Sequence, residues 1–117
     1  MSLQIKRGDI VKCYLNGEGN SHVQSGYRPV VVVQNNTGNK FSPNTIVVPL
    51  TSENKKDMPT HSKFIIRYAD QKDVNNIALC EALTTIPISS ITSKVGHVNH
   101  KIMTDIERAI KVSLGLY

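Results

Sequence analysis

Pro29-Val30-Val31-Val32-Val33-Gln34 is the stretch that decides the fold. Four β-branched residues in a row suit a strand buried on both faces rather than one that alternates between core and water. Upstream, Lys6-Arg7-Gly8-Asp9 reads as a turn into a first strand, Ile10 to Leu15. The polar, glycine-containing stretch Asn16 to Ser21 then reads as a loop. Downstream, Asn35 to Asn44 is rich in Asn, Gly, Ser and Pro and reads as another loop. A third strand is expected over Thr45 to Leu50, followed by a polar segment from Thr51 to Thr60 that carries Lys55 and Lys56. Ser62 to Tyr68 and Asn76 to Ile86 supply two more strand candidates. Five short strands parted by turn signals predict a small, strongly bent β-barrel.

The period changes near the C-terminus. Ile102, Ile106, Ala109, Ile110 and Ser113 fall on one helical face, while Lys101, Asp105, Arg108 and Lys111 fall mostly elsewhere. Asn99 fits the N-cap of a helix over His100 to Leu114, which should cover an open side of the barrel. Met103 and Leu114 are candidates for a surface offered to a partner subunit.

The chain has 117 residues, the size of one domain spanning 1–117. At 39% apolar and 20% charged residues it has globular composition. A formal charge of +5 directs attention to polyanions or an acidic protein partner, because a positive field attracts phosphate and carboxylate. Cys13 and Cys80 sit in apolar stretches with no CxxC pair or Cys/His cluster, so they read as buried free thiols rather than metal ligands. No signal-peptide pattern opens the chain and no run of 18 apolar residues occurs, so a cytoplasmic location and no membrane association are expected. No cofactor motif is present.

A geometric argument singles out two residues. If the strands flanking the Asn35–Asn44 loop form an antiparallel hairpin with Gln34 facing Thr45, then Pro29 faces Leu50 and Arg28 faces Thr51. Opposed residues share a face, with Cβ atoms about 4.5–5.5 Å apart. A guanidinium presents a planar fork of donors matched to phosphate oxygens and stays charged near neutral pH. A threonine hydroxyl can orient a phosphate oxygen. Together they would form the electrostatic half of a phosphoryl-transfer site.

The stretch Gln24-Ser25-Gly26-Tyr27-Arg28-Pro29-Val30-Val31-Val32-Val33-Gln34-Asn35 resembles the signature of the MazF/PemK family of toxin endoribonucleases. The likeness continues through Gly38-Asn39-Lys40-Phe41-Ser42-Pro43, Val48-Pro49-Leu50-Thr51-Ser52, Pro59-Thr60-His61, Leu79-Cys80-Glu81 and the closing helix. It implies an SH3-like barrel of the CcdB/MazF type with a C-terminal helix, acting as a homodimer. It also implies cleavage of single-stranded RNA, in particular mRNA, without metal. The RNA's own 2′-OH would attack, with Arg28 and Thr51 carrying the chemistry. An acidic, MazE-like antitoxin would occupy the same groove. The chain departs from the family pattern at Val23, Ala82 and Thr84, where family members commonly carry Glu, Gln and Arg. Substrate contacts are therefore expected from Gln24, Ser52, Lys55, Lys56 and His22.

Other candidates read more plainly. His22 lies in the loop before Arg28, where a titrating imidazole could serve as acid or base, although a solvated loop histidine is the ordinary reading. His61 reads as structural, and Glu81 as the partner of a basic residue. His97 and His100 lack the carboxylates and spacing of a zinc site. Arg7-Gly8-Asp9 is a turn, not an adhesion signal. Two rivals to an RNA-cutting enzyme are a CcdB-like inhibitor of a protein target such as gyrase and a passive RNA-binding module. The pairing of Arg28 with Thr51 speaks against the first, and an aromatic content of 5% without Trp against the second.

Overall fold

A computed structural model describes residues 4–15, 26–53, 55–67 and 73–116. Its strands are β1 (Asp9–Leu15), β2 (Gly26–Val32), β3 (Asn44–Thr51), β4 (His61–Arg67), β5 (Asp73–Leu79), β6 (Thr84–Pro87) and β7 (Ile91–His97). The helices are α1 (Asn36–Phe41) and α2 (His100–Leu114). The strand path runs β4-β5-β3-β2-β1-β7, with β6 joined to β3. It is a bent SH3-like sheet whose described ends, β4 and β7, do not pair.

The valine run behaves as its composition dictates. Val30, Val31 and Val32 are all fully buried, and alternation sends them to opposite sides of the sheet. Val31 joins Ile10, Val48, Leu50, Ala78 and the α2 residues Met103, Ile106 and Ala109 in one core. Val30 and Val32 join Val11, Cys13, Leu15, Val47, Ile86 and Ile91 in the other. The central strands thus have no water-facing side where they cross the middle of the molecule.

Helix α2 follows its sequence closely. The Asn99 side chain accepts the Ile102 amide at 2.9 Å, and Gly115 ends the helix in the left-handed region at φ 72°, where a side chain would be strained. The helix covers the face that carries Ile10 and Val31 and packs against β4. Arg7 fastens it to the opposite end of the sheet. Its guanidinium meets Glu107 at 2.5 Å and donates to the Val33 carbonyl at 3.1 Å. Met103 is buried, so it serves the core and not a partner surface. Leu114 is exposed as expected.

Three expectations need correction. The Asn35–Asn44 stretch is not irregular: it contains α1, capped by the Asn35 side chain on the Gly38 amide at 2.7 Å. A Cβ on Gly38 would lie 2.8 Å from Gln34 Nε2, so only glycine lets the helix approach that side chain. The single strand expected over Asn76 to Ile86 is broken by a 3₁₀ turn, Cys80–Ala82, which separates β5 from β6. Finally β7, not anticipated, brings the described strands to seven. It pairs with β1 through two register shifts.

Candidate active site

The site is set by the place where β3 changes partners. Its first four residues pair with β6, and Val47 to Pro49 pair with β2 as Val30↔Pro49, Val31↔Val48 and Val32↔Val47, the register expected from the sequence. Its last two residues pair instead with β5, as Leu50↔Ala78 and Thr51↔Ile77. Pro49 and Pro29 stand at this divergence. Neither has an N–H to give to a ladder, and the β2–β3 pairing stops at Val30↔Pro49. β3 is then free to turn toward β5.

Arg28 on β2 and Thr51 on β3 each lie two residues past Val30↔Pro49, the last pair before the two strands part. Arg28 is exposed on β2 and faces Cys13 across the β1–β2 ladder. By strand alternation it lies on the side of Val30, and Thr51 on the side of Val47. Thr51 is only 6% exposed, and its Oγ1 accepts the Glu53 amide at 3.2 Å. That bond orients the hydroxyl and leaves its proton available for a donor role.

The other expected contact residues divide. Ser52 is exposed immediately after Thr51. Lys55 pairs with Glu53 at 3.4 Å, and Lys56 is exposed in the same connection to β4. His22 and Gln24, like Val23, lie outside the described residues. Ala82 sits in the 3₁₀ turn and Thr84 begins β6.

His61 and Glu81 form a pair, with Nε2 2.7 Å from Oε2. The imidazole is 5% exposed and the carboxylate 44%. Among the described residues His61 Nδ1 and Thr60 Oγ1 are buried without a hydrogen-bond partner. The pair pins the start of β4 to the 3₁₀ turn, in keeping with the structural reading of His61. Glu81 does find a partner that can carry positive charge, although it sits in a turn and not in a strand. His97 is held by Asp9, with Nδ1 2.8 Å from Oδ1, on the far side of β1 from Arg28.

Both cysteines are free and buried. Burial pushes the Cys13 thiol up to about 11. Burial, then the neighbouring Glu81 charge, pushes Cys80 up to about 12. Neither thiol is a nucleophile near neutral pH.

One side chain passed over in the sequence, Lys63, stands in the same cross-strand row as Thr51: Lys63 pairs with Ile77, and Ile77 with Thr51. Ser62-Lys63-Phe64-Ile65 is two polar residues followed by two apolar ones, so no polar-apolar alternation marks the face that Lys63 takes. The row itself depends on β3 switching to β5, which the sequence does not announce.

Fold and site define a class: a small SH3-like sheet closed by a C-terminal helix, with a cation and a hydroxyl at a strand divergence. A family model described as PemK-like, MazF-like toxin of type II toxin-antitoxin system matches residues 6–114. The chain belongs to this family. It is 36% identical over 114 residues to Endoribonuclease EndoA of Bacillus subtilis, covering 96% of each protein. It is also 36% identical to Endoribonuclease MazF of Staphylococcus saprophyticus, covering 97% of this chain and 93% of that one. Among solved structures, MazF of Deinococcus radiodurans superposes with a TM-score of 0.77 at 16% identity, over 97% of this chain and 99% of that one. A mycobacterial endoribonuclease in complex with its cognate antitoxin superposes at 0.76 and 22% identity, over 97% of each chain. The structural matches speak to the fold.

Proposed function

We propose that the protein is the toxin of a type II toxin–antitoxin pair, a metal-independent endoribonuclease that cuts single-stranded RNA, in particular mRNA, in the cytoplasm. One observation supports the assignment of the chemistry: the β2–β3 register, which ends at Val30↔Pro49, puts Arg28 and Thr51 on the same side of the sheet just past the point where the two strands part. The nucleophile comes from the substrate. The ribose 2′-OH attacks the adjacent phosphorus while the bond to the 5′-oxygen breaks, leaving a 2′,3′-cyclic phosphate and a 5′-OH. Positioning that hydroxyl in line supplies much of the acceleration. Arg28 offsets the charge that builds on the phosphoryl oxygens, and Thr51 donates to one of them. A guanidinium is a poor proton donor, so charge stabilisation is its role here.

Gln24, Ser52, Lys55, Lys56 and His22 would guide the strand on either side of the scissile phosphate. The named relatives support the RNA substrate, and the mycobacterial neighbour's complex with its cognate antitoxin supports an antitoxin as partner, which we take to be acidic and MazE-like. A homodimer would offer two such sites to one groove. No cofactor enters the reaction.

Purified protein incubated with a long RNA in EDTA should yield discrete fragments bearing cyclic phosphates, and Arg28→Ala should slow cutting by about 10²–10³-fold without loss of fold. RNA that is bound but left whole would replace the enzyme with a binding module. Neither binding nor cutting would point to a CcdB-like inhibitor of a protein target.

A further inference from the structure

A groove of about 570 Å³ opens beside Thr51, between the Ser52-Glu53 turn and the outer face of the β4–β5 hairpin. Lys63, Ile65, Asn75 and Ile77 line its floor. Alternation makes this face mixed: Lys63 and Asn75 present polar groups, while Ile65 is 62% exposed between them. Two strand spacings of about 4.8 Å separate Lys63 from Thr51 along their shared row. A four-carbon stem spans much of that distance.

The Lys63 ammonium is engaged by the connection that precedes β4. It forms an ion pair with Asp57 and donates to the Lys55 carbonyl at 3.3 Å. The Asp57 side chain is 88% exposed and the Lys63 side chain 45%. The pair sits at the surface, where the attraction between two solvated charges is small. Glu53, the other carboxylate at the groove, is engaged by Lys55. Arg67 at the far end of β4 is engaged by Asp73 at 3.0 Å.

We propose that Lys63 is a substrate-positioning residue that binds a backbone phosphate next to the scissile one, and that Asp57 occupies this ammonium in the RNA-free protein as a stand-in for that phosphate. The inference rests on the nuclease reading of Arg28 and Thr51, because the phosphate at Thr51 fixes where the next one lies. A carboxylate and a phosphate offer an ammonium the same kind of charged acceptor oxygen. The exchange replaces an exposed carboxylate with a phosphate that also releases counterions from the RNA. Ile65 supplies an apolar surface for the face of the attached base, and Asn75 supplies a donor and an acceptor for its edge. The hydrogen bond from Lys63, then its charge, holds the Asp57 carboxyl below its ordinary range.

The test is a set of binding titrations with the full chain. The probe is a short fluorescent RNA spanning a mapped cut site, with a deoxyribose at the attacking position so that it is bound but not cut. Lys63→Ala should weaken binding about 5-fold and flatten the dependence of log K on log salt by about 0.7, one single-strand phosphate. Asp57→Asn should tighten binding by about 3-fold in the wild-type background and have no effect in Lys63→Ala, because its action passes through the ammonium. An unchanged affinity and salt slope in Lys63→Ala, while the wild type still cuts RNA, would overturn the subsite and leave the nuclease reading standing. Tightening by Asp57→Asn that persists without Lys63 would overturn the stand-in role and reduce Asp57 to a general repulsive charge. Failure of the wild type to bind or cut any RNA would remove both readings together.

Discussion

Thr51 shows how much one hydroxyl is asked to do. Its oxygen closes the turn into Ser52-Glu53 by accepting the Glu53 amide, and its proton is left for the phosphate in the mechanism we propose. Both roles go with the hydroxyl and can be removed by substitution. Thr51→Ser keeps both and should retain most of the cleavage rate. Thr51→Val keeps the shape and loses both, so cutting should fall by about 10²-fold and stability by about 1 kcal/mol. Rates on a common RNA and urea midpoints of the three proteins check this. A valine variant that cuts as fast as the serine variant would take the hydroxyl out of the chemistry. The same economy governs the cysteines, whose burial in an apolar core makes them filling rather than chemistry.

At the scale of elements, α1 explains a motif that the family resemblance alone leaves unexplained. Asn39 is 8% exposed and joins the helix to β3 and to Gln34 just past β2. Its amide donates to the Gln34 carbonyl at 3.0 Å, and its oxygen accepts from Thr45 at 2.7 Å and from Gln34 Nε2 at 3.1 Å. Asn39→Ala would strand the Thr45 hydroxyl, which is fully buried, and should cost about 1–3 kcal/mol in chemical denaturation. The variant should cut RNA at the wild-type rate under conditions where it is folded, because this network lies at the opposite end of β3 from Thr51. Loss of activity without loss of stability would contradict a purely structural role.

At the scale of the whole molecule, Asp9 ties the first turn to the last strand and sets a lower pH limit. Burial raises the carboxyl, but hydrogen bonds from His97, the Lys6 amide and Lys94, and the Lys94 charge, outweigh it and leave it below its ordinary value of 3.8. A depressed folded value means that the unfolded chain takes up its proton first as pH falls. The stabilisation is present above about pH 4 and is lost as pH drops through the folded value. Urea midpoints measured from about pH 5 down to about pH 3 should therefore fall steeply for the wild type. They should fall less for Asp9→Asn, which starts lower at neutral pH. Parallel curves would show that other carboxylates dominate the acid limit.

What the sequence determined by itself is local or strictly periodic. Asn99, the 3.6-residue spacing of Ile102, Ile106 and Ala109, and Gly115 define α2 because a helix satisfies its backbone within its own segment. The valine run and its neighbour strand define the β2–β3 register because a one-residue slip would invert every side chain. That register puts Arg28 and Thr51 on one side of the sheet, although Thr51 itself pairs with Ile77 of β5.

Only the tertiary structure decided the rest. Asn36 to Phe41 has the composition of a loop and becomes helical because Asn39, Gly38 and the Asn35 cap satisfy groups brought from β3 and Gln34. Leu79 to Leu83 is apolar enough for a strand, and its break at Cys80–Ala82 answers to packing against α2. β7 is a half-exposed edge whose pairing with β1 spans most of the chain. The row that aligns Lys63 with Thr51 exists because β3 leaves β2 at its prolines for β5. Contacts between distant segments are chosen by which surfaces the completed fold can bury, and no local window of sequence contains that choice.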